Sequence, residues 1–200
     1  MSRPPRPATV APRRGRPRSD AARQAILTAA LELARTRPPA DVSVGAIAAQ
    51  AGVGKQTIYR WWTGKAEVLL EALADLAETE ILEPDLGSLE ADLRAFLEAS
   101  FDAIEHQRLA PVLRGLMAEA QRDPGFARAF RARFIERRRD AARRLLDRAR
   151  RRGELGRSTD PELLVDVLFG GLWYRLLAGH APLDRAFARG LARAVARVAG

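Results

Sequence analysis

Along almost the whole of this chain the apolar residues recur three or four positions apart, and no segment sustains alternation with β-branched residues. That period commits the chain to helices packed on helices, because a 3.6-residue repeat gathers such residues on one stripe whereas a strand needs a repeat of two. Ser19, with Asp20 in the first turn, is the expected N-cap of a first helix carrying Ala22, Ile26, Ala29, Ala30 and Leu33, which Pro38 and Pro39 end. Ser43 caps a short second helix with Val44, Ile47, Ala48 and Ala51 inside. Gly52 makes the turn, Val53 tucks inward, and a third short helix runs from about Gly54 to Trp62. A longer helix from Lys65 turns Val68, Leu69, Leu73, Leu76 and Ala77 inward and Glu67, Glu71, Asp75 and Glu78 outward.

Beyond residue 87 the same grammar continues. Gly87 and Ser88 open a helix with Leu89, Leu93, Phe96, Leu97, Phe101 and Ile104, and Pro111 starts one with Leu113, Leu116 and Met117. Asp123 followed by Pro124 caps a helix that runs to about Arg152 on a stripe of Phe126, Phe130, Phe134, Leu145 and Leu146, until Gly153 and Gly156 stop it. Asp160 and Pro161 repeat the cap for a helix to about Ala178, and Pro182 precedes a last one with Phe187, Leu191, Val195 and Val198. The expected fold is all-α, with about nine helices.

A length of 200 residues allows one or two compact units, and a hydrophobic share of 47% supplies a core. With no cysteine there is no disulfide framework, thiolate nucleophile or cysteine-ligated metal. No apolar run approaches the roughly 20 residues of a membrane span, and the arginine-bearing N-terminus lacks the apolar core of a secretory signal. A soluble, cytoplasmic protein without a membrane partner is expected.

The net charge of +9 conceals a block pattern. Residues 1–65 hold 12 Lys and Arg against 3 acids, residues 66–106 hold 1 against 12, residues 107–152 hold 15 against 5, and residues 153–200 hold 6 against 5. The second and third blocks nearly cancel and are expected to face each other or to be solvated helix faces. The first has no such counterpart, so a polyanion is expected to dock there. Within it, residues 1–18 carry six arginines, frequent prolines and no acid, the composition of a flexible basic arm.

Three short helices in 45 residues, the last two joined by a glycine turn, make a helix-turn-helix whose third helix can enter a DNA major groove. On its 3.6 period Ile58 and Trp62 point to the core, leaving Lys55, Gln56, Thr57, Tyr59, Arg60 and Trp61 outside. Gln pairs with adenine, Lys with guanine and Thr with the thymine methyl, while Tyr59, Arg60 and Lys65 suit phosphates.

Over Arg23 to Leu70 the chain resembles the DNA-binding domain of the tetracycline-repressor (TetR) family. The resemblance rests on Ile26-Leu27-x-Ala29-Ala30, Val42-Ser43-Val44-x-x-Ile47-Ala48, Ala51-Gly52-Val53-Gly54-Lys55-x-Thr57-Ile58-Tyr59-Arg60 and Lys65. It implies Ser43 at a phosphate, Gln56 and Thr57 at bases, and Tyr59, Trp61 and Lys65 at the DNA backbone. Gly54 departs from the capping Ser or Thr usual in the family, and Trp61 from a smaller polar residue or His. Arginine-rich extensions of this kind imply an arm that reaches the minor groove.

The resemblance further implies that residues 87–200 form a helical ligand-binding and dimerisation domain, joined through a connecting helix (67–86) to the helix-turn-helix unit (19–66). Asp160-Pro161-Glu162-Leu163, Leu168 through Leu177 and Pro182-Leu183-Asp184 resemble a subgroup whose last two helices pair across a two-fold axis. Independently, Leu163, Val167, Gly170, Tyr174 and Leu177 share one face; with Leu191 and Val195 they are the expected dimer residues. Phe96, Phe101, Leu113, Met117, Phe130, Phe134, Phe169 and Trp173 are the candidate lining of an apolar ligand cavity, as well as candidates for plain core.

The functional expectation is a homodimeric repressor that binds a double-stranded DNA operator and leaves it on binding a small apolar effector. A nonspecific nucleic-acid-binding helical protein is the alternative, and the arginine run 131–152 is either a second nucleic-acid surface or a helix face matched by the acidic block. Gly52 to Thr57 is no phosphate loop, since that motif needs Gly at 49 and Ser or Thr at 56 where Ala49 and Gln56 stand. His106 and His180 lack paired-ligand spacing, and no nucleophile, base and orienter can be nominated. No enzyme activity, cofactor or metal is expected.

Overall fold

The computed structural model describes residues 16–37, 41–78 and 82–200, and every regular element among them is helical. Nine helices follow in order: α1 (Arg16–Thr36), α2 (Val44–Gln50), α3 (Lys55–Tyr59), α4 (Lys65–Glu78), α5 (Leu89–His106), α6 (Ala110–Arg122), α7 (124–151), α8 (Pro161–Ala178) and α9 (Arg185–Ala199). Short polar side chains set most of the starts. Ser43 Oγ accepts from the Ala46 N–H at 3.1 Å and Ser88 Oγ from Ala91 at 3.3 Å. Asp123 accepts from Gly125 at 2.7 Å, and Asp160 from Glu162 at 2.9 Å, each followed by a first-turn proline whose missing N–H costs nothing there. At α9 the cap is Asp184, which accepts from Phe187 at 2.8 Å.

The first helix starts earlier than its pattern suggests. Arg16, Pro17 and Arg18 already belong to α1, so Ser19 lies inside the helix and not at its cap. Proline is at home in a first turn and arginine propagates a helix well, so the arginine-proline composition there does not exclude helix. The rest of the expected basic arm, and the prolines at 38 and 39, lie outside the described residues. The third helix is shorter than expected, ending at Tyr59.

One long helix departs from regular α geometry. In α7, Pro124–Phe130 leads through a π-helical turn, Arg131–Ile135, into Glu136–Arg151. Its buried residues include Phe126, Phe130, Phe134, Ala142 and Leu146, a stripe at multiples of four. Such a stripe drifts about 40° per step on a straight α-helix, and the wider π turn takes part of that drift back. The three phenylalanines stack along this stripe, with ring centroids 6.2 Å and 5.5 Å apart.

The core is continuous from Ile26 to Ala199. α1 packs on α2 and α4, while α4 also packs on α6 and on the π turn of α7. α9 lies along α5 and against α8, whose Gly171 gives Leu191 room; a Cβ at 171 would stand 3.2 Å from Leu191 Cδ2. Because α4 is enclosed on several sides, Leu70, Ala72 and Ala74 are buried along with the expected Val68, Leu69 and Leu73.

Candidate nucleic-acid interface and the cavity behind it

α2 and α3 are held at a fixed angle by a glycine turn. Gly52 takes φ +66°, a conformation that L side chains rarely adopt, and the Val53 N–H returns to the Ala48 carbonyl at 3.0 Å. α3 then begins on Gly54 without a side-chain cap. Ile58 is fully buried and Trp62 is 4% exposed, so the inner face of α3 is anchored in the core. On its outer side Lys55, Gln56, Tyr59 and Arg60 are exposed and Thr57 is half-buried.

The flanking groups are tied to the same corner. The stem of Lys55 crosses the start of α2, where a Cβ on Gly45 would come within 3.0 Å of its Cε. Lys65 Nζ donates to the Val42 carbonyl at 2.8 Å, just before the Ser43 cap. Ser43, Lys55 and Lys65 thus converge on the α2 end. Trp61 is half-buried, its ring edge-on to Trp62 at 5.5 Å and covered by the Arg60 guanidinium at 4.5 Å. Its bulk is accommodated by this sandwich.

Behind the interface, the first turns of α4 grip the helix-turn-helix. Glu67 accepts from the Thr63 N–H at 2.7 Å, and Glu71 accepts from the Trp62 indole N–H at 3.1 Å. Glu71 also pairs with Arg23 of α1 and, at 3.3 Å, with Arg133 in the π turn of α7.

Between α4, α5, α6, α7 and α8 lies a cavity of about 60 Å³. Five of the eight sequence-derived pocket residues line it: Phe96, Leu113, Phe134, Phe169 and Trp173. The other three lie outside that lining. Phe101 stacks on Phe187 at 5.7 Å, Phe130 sits within the phenylalanine stack, and Met117 meets Gln121 at 3.7 Å. Leu73, Leu76, Ser100, Ile135, Leu172 and Arg138 complete much of the wall. Leu73 and Leu76 were legible only as core, since the helical period marks an inner face without saying whether it meets side chains or a void.

The expected dimer residues divide. On α8, Leu163, Val167, Gly170, Tyr174 and Leu177 are all exposed, Tyr174 at 67%. Val195 is buried and Leu191, partly buried, packs on Gly171, so neither stands on that exposed face. The close helix approach within the chain is at Gly171, whereas Gly170 faces open space. Val198, 69% exposed, adds an outward apolar position on α9.

Several arginines of α7, and Arg152 just after it, pair with carboxylates. Arg144 forks onto Glu83 at 2.9 Å and 2.6 Å, Arg152 reaches the fully buried Asp92 at 2.9 Å and Asp85 at 3.2 Å, and Arg139 and Arg143 share Glu162. Hydrogen bonds from Arg143 and then Arg139 hold Glu162 down to a pKa of about 2. Arg144 likewise lowers Glu83. Glu154 is pushed up by burial but pulled further down by the Leu89 N–H and by Arg152. Acidic and basic blocks therefore face each other through these pairs, with Glu162 and Asp166 adding partners from the last block.

Comparison with known proteins adds the family context. A family pattern described as "Bacterial regulatory proteins, tetR family" matches residues 26–72, and one described as "Tetracyclin repressor-like, C-terminal domain" matches residues 83–195. The chain is 33% identical to an HTH-type transcriptional regulator, YdeS, of Bacillus subtilis (strain 168), over 90% of both chains. It is 32% identical to the DNA-binding transcriptional repressor TetR of Mycobacteroides abscessus, over 82% of this chain and 85% of that one. Among solved structures, the transcription regulator SCO0332 matches with a TM-score of 0.73 at 32% identity, covering 88% of this chain and 97% of that one.

Proposed function

This chain belongs to the TetR family of DNA-binding transcriptional regulators, and on that premise we propose that it is a homodimeric repressor released from its operator by a small apolar ligand. The observation that carries the reading is the split of α3: Ile58 and the neighbouring Trp62 are locked into the core while Lys55, Gln56, Tyr59 and Arg60 stand outside on a rigid corner. In this reading Gln56 and Thr57 meet base edges, Lys55 reaches guanine, and Ser43, Tyr59, Arg60, Trp61 and Lys65 hold the DNA backbone. Residues 19–66 act as the DNA-binding unit, 67–86, helical as far as Glu78, as the connection and 87–200 as the ligand-binding and dimerisation unit. The chain works beside DNA in the cytoplasm, without catalysis or a cofactor.

Support for the dimer comes from α8. Its exposed positions 163, 167, 170, 174 and 177 follow a 4-3-4-3 spacing, the seam of a coiled-coil-like contact, and Gly170 leaves space for a facing backbone. A second copy brings the same face, as a two-fold contact requires. The ligand reading is supported by the mostly apolar cavity between α4, α5, α6, α7 and α8.

Selection of binding sites from random duplex DNA at near-physiological salt tests the reading. An inverted repeat, bound by a dimer in sedimentation, is the expected result. Uniform recovery with steep salt dependence would instead establish nonspecific binding.

A further inference from the structure

We infer that Glu71 is the positioning residue through which the cavity sets the recognition helix, a step that rests on the ligand-released reading above. Trp62 is buried, and a buried indole N–H requires an acceptor. The acceptor is Glu71 Oε2, 3.1 Å away, and the same oxygen takes Arg133 at 3.3 Å, while Oε1 pairs with Arg23. One carboxylate thus holds the base of the recognition helix, the first helix of the DNA-binding unit and the long helix of the C-terminal unit.

Both halves of the Glu71–Arg133 pair adjoin the cavity wall. Phe134 follows Arg133 in the chain and Leu73 stands two residues beyond Glu71, and both line the cavity. Arg133 sits in the π turn, where the backbone has a local alternative to its present winding. Rewinding that turn as α-helix would rotate one half of α7 against the other, by up to about one residue's 100°. An occupant that pushes Phe134 or Leu73 outward therefore pulls Arg133 from Glu71, and the carboxylate that steadies Trp62 shifts with it. α3 is only five residues long and uncapped, so its aim depends on this anchorage.

The test uses the full chain and the operator recovered by selection, with Ala103→Leu as the occupant, because Ala103 lines the cavity and the larger side chain takes up part of its volume. Ala103→Leu should weaken operator binding about tenfold in the native background, within the usual range of coupling between sites. With Arg133→Ala the loss should shrink to roughly twofold, and Arg133→Lys should restore it. Equal losses in both backgrounds would overturn the role of Glu71 and Arg133 while leaving ligand-released repression standing. No loss in either would overturn the proposal too, because filling the cavity would then leave the recognition helix undisturbed. Hydrogen exchange over residues 55–63 needs no operator: it should rise with Ala103→Leu in the native background only, and unchanged protection there would also overturn the proposal.

Discussion

Residues 1–65 and 107–152 carry nearly the same excess of positive charge, and the described parts of the two differ in how much of it meets carboxylates. In the second region the guanidinium groups of Arg133, Arg139, Arg143, Arg144 and Arg152 end on carboxylates of neighbouring elements. In the first, Lys55 and Arg60 stand on an exposed corner. Net charge over a stretch is therefore a poor guide to polyanion binding. What matters is whether the fold brings carboxylates to the same place, because a guanidinium already neutralised by a carboxylate brings no net charge with which to replace the condensed counterions of a nucleic acid.

The sharpest way to break the comparison is at Asp92, the buried carboxylate that takes Arg152 and also accepts from the Leu86 N–H at 2.6 Å. Asp92→Ala should destabilise the protein by about 2 kcal/mol, read by urea unfolding, because it removes the charged acceptor shared by Arg152 and the Leu86 N–H. Operator preference should be unchanged. Gln56→Ala should do the reverse, relaxing base preference at one operator position by about 1–3 kcal/mol with little change in melting temperature. If it alters only stability, the readout surface has been misplaced.

A finer contrast is the salt slope of DNA binding. Lys65→Ala should reduce the slope by about one, whereas Arg144→Ala should leave it unaltered, since Arg144 already faces Glu83. A reduced slope in both variants would merge the two regions into one electrostatic surface.

Acid should sharpen the contrast further, with a smaller effect. Glu83, Glu154 and Glu162 all titrate below the ordinary 4.5 in the folded chain, Glu162 near 2. Groups depressed in this way contribute stability above about pH 4.5 and lose it as pH falls towards 2. The melting temperature should decline through that window, and Arg143→Ala should flatten the decline.

Much of this was legible beforehand for a simple reason. Capping chemistry is local, so Ser43, Ser88, Asp123 and Asp160 announce their helices within four residues, and the Ile58 and Trp62 stripe announces which side of α3 faces inward. The start of α1 was misjudged because arginine and proline suit both an extended arm and a first helical turn. Leu191 and Val195 were assigned to a dimer face because an amphipathic period marks a buried side without naming what buries it; α5 and α8 do so here. The same ambiguity hid the division of the candidate pocket residues between a cavity wall and plain core.

Sequence alone determined the all-helical character, the glycine turn between α2 and α3, the exposed chemistry of Lys55, Gln56 and Tyr59, and the near-cancelling charge of the acidic and basic blocks. All of these follow from neighbours a few residues apart or from bulk charge. Tertiary structure alone decided that Asp92 is buried, that α7 winds through a π turn, and that Glu71 joins Arg23, Trp62 and Arg133. Those contacts span up to 62 residues, and a carboxylate on a helix has the same local period whether it meets water or three donors from distant elements.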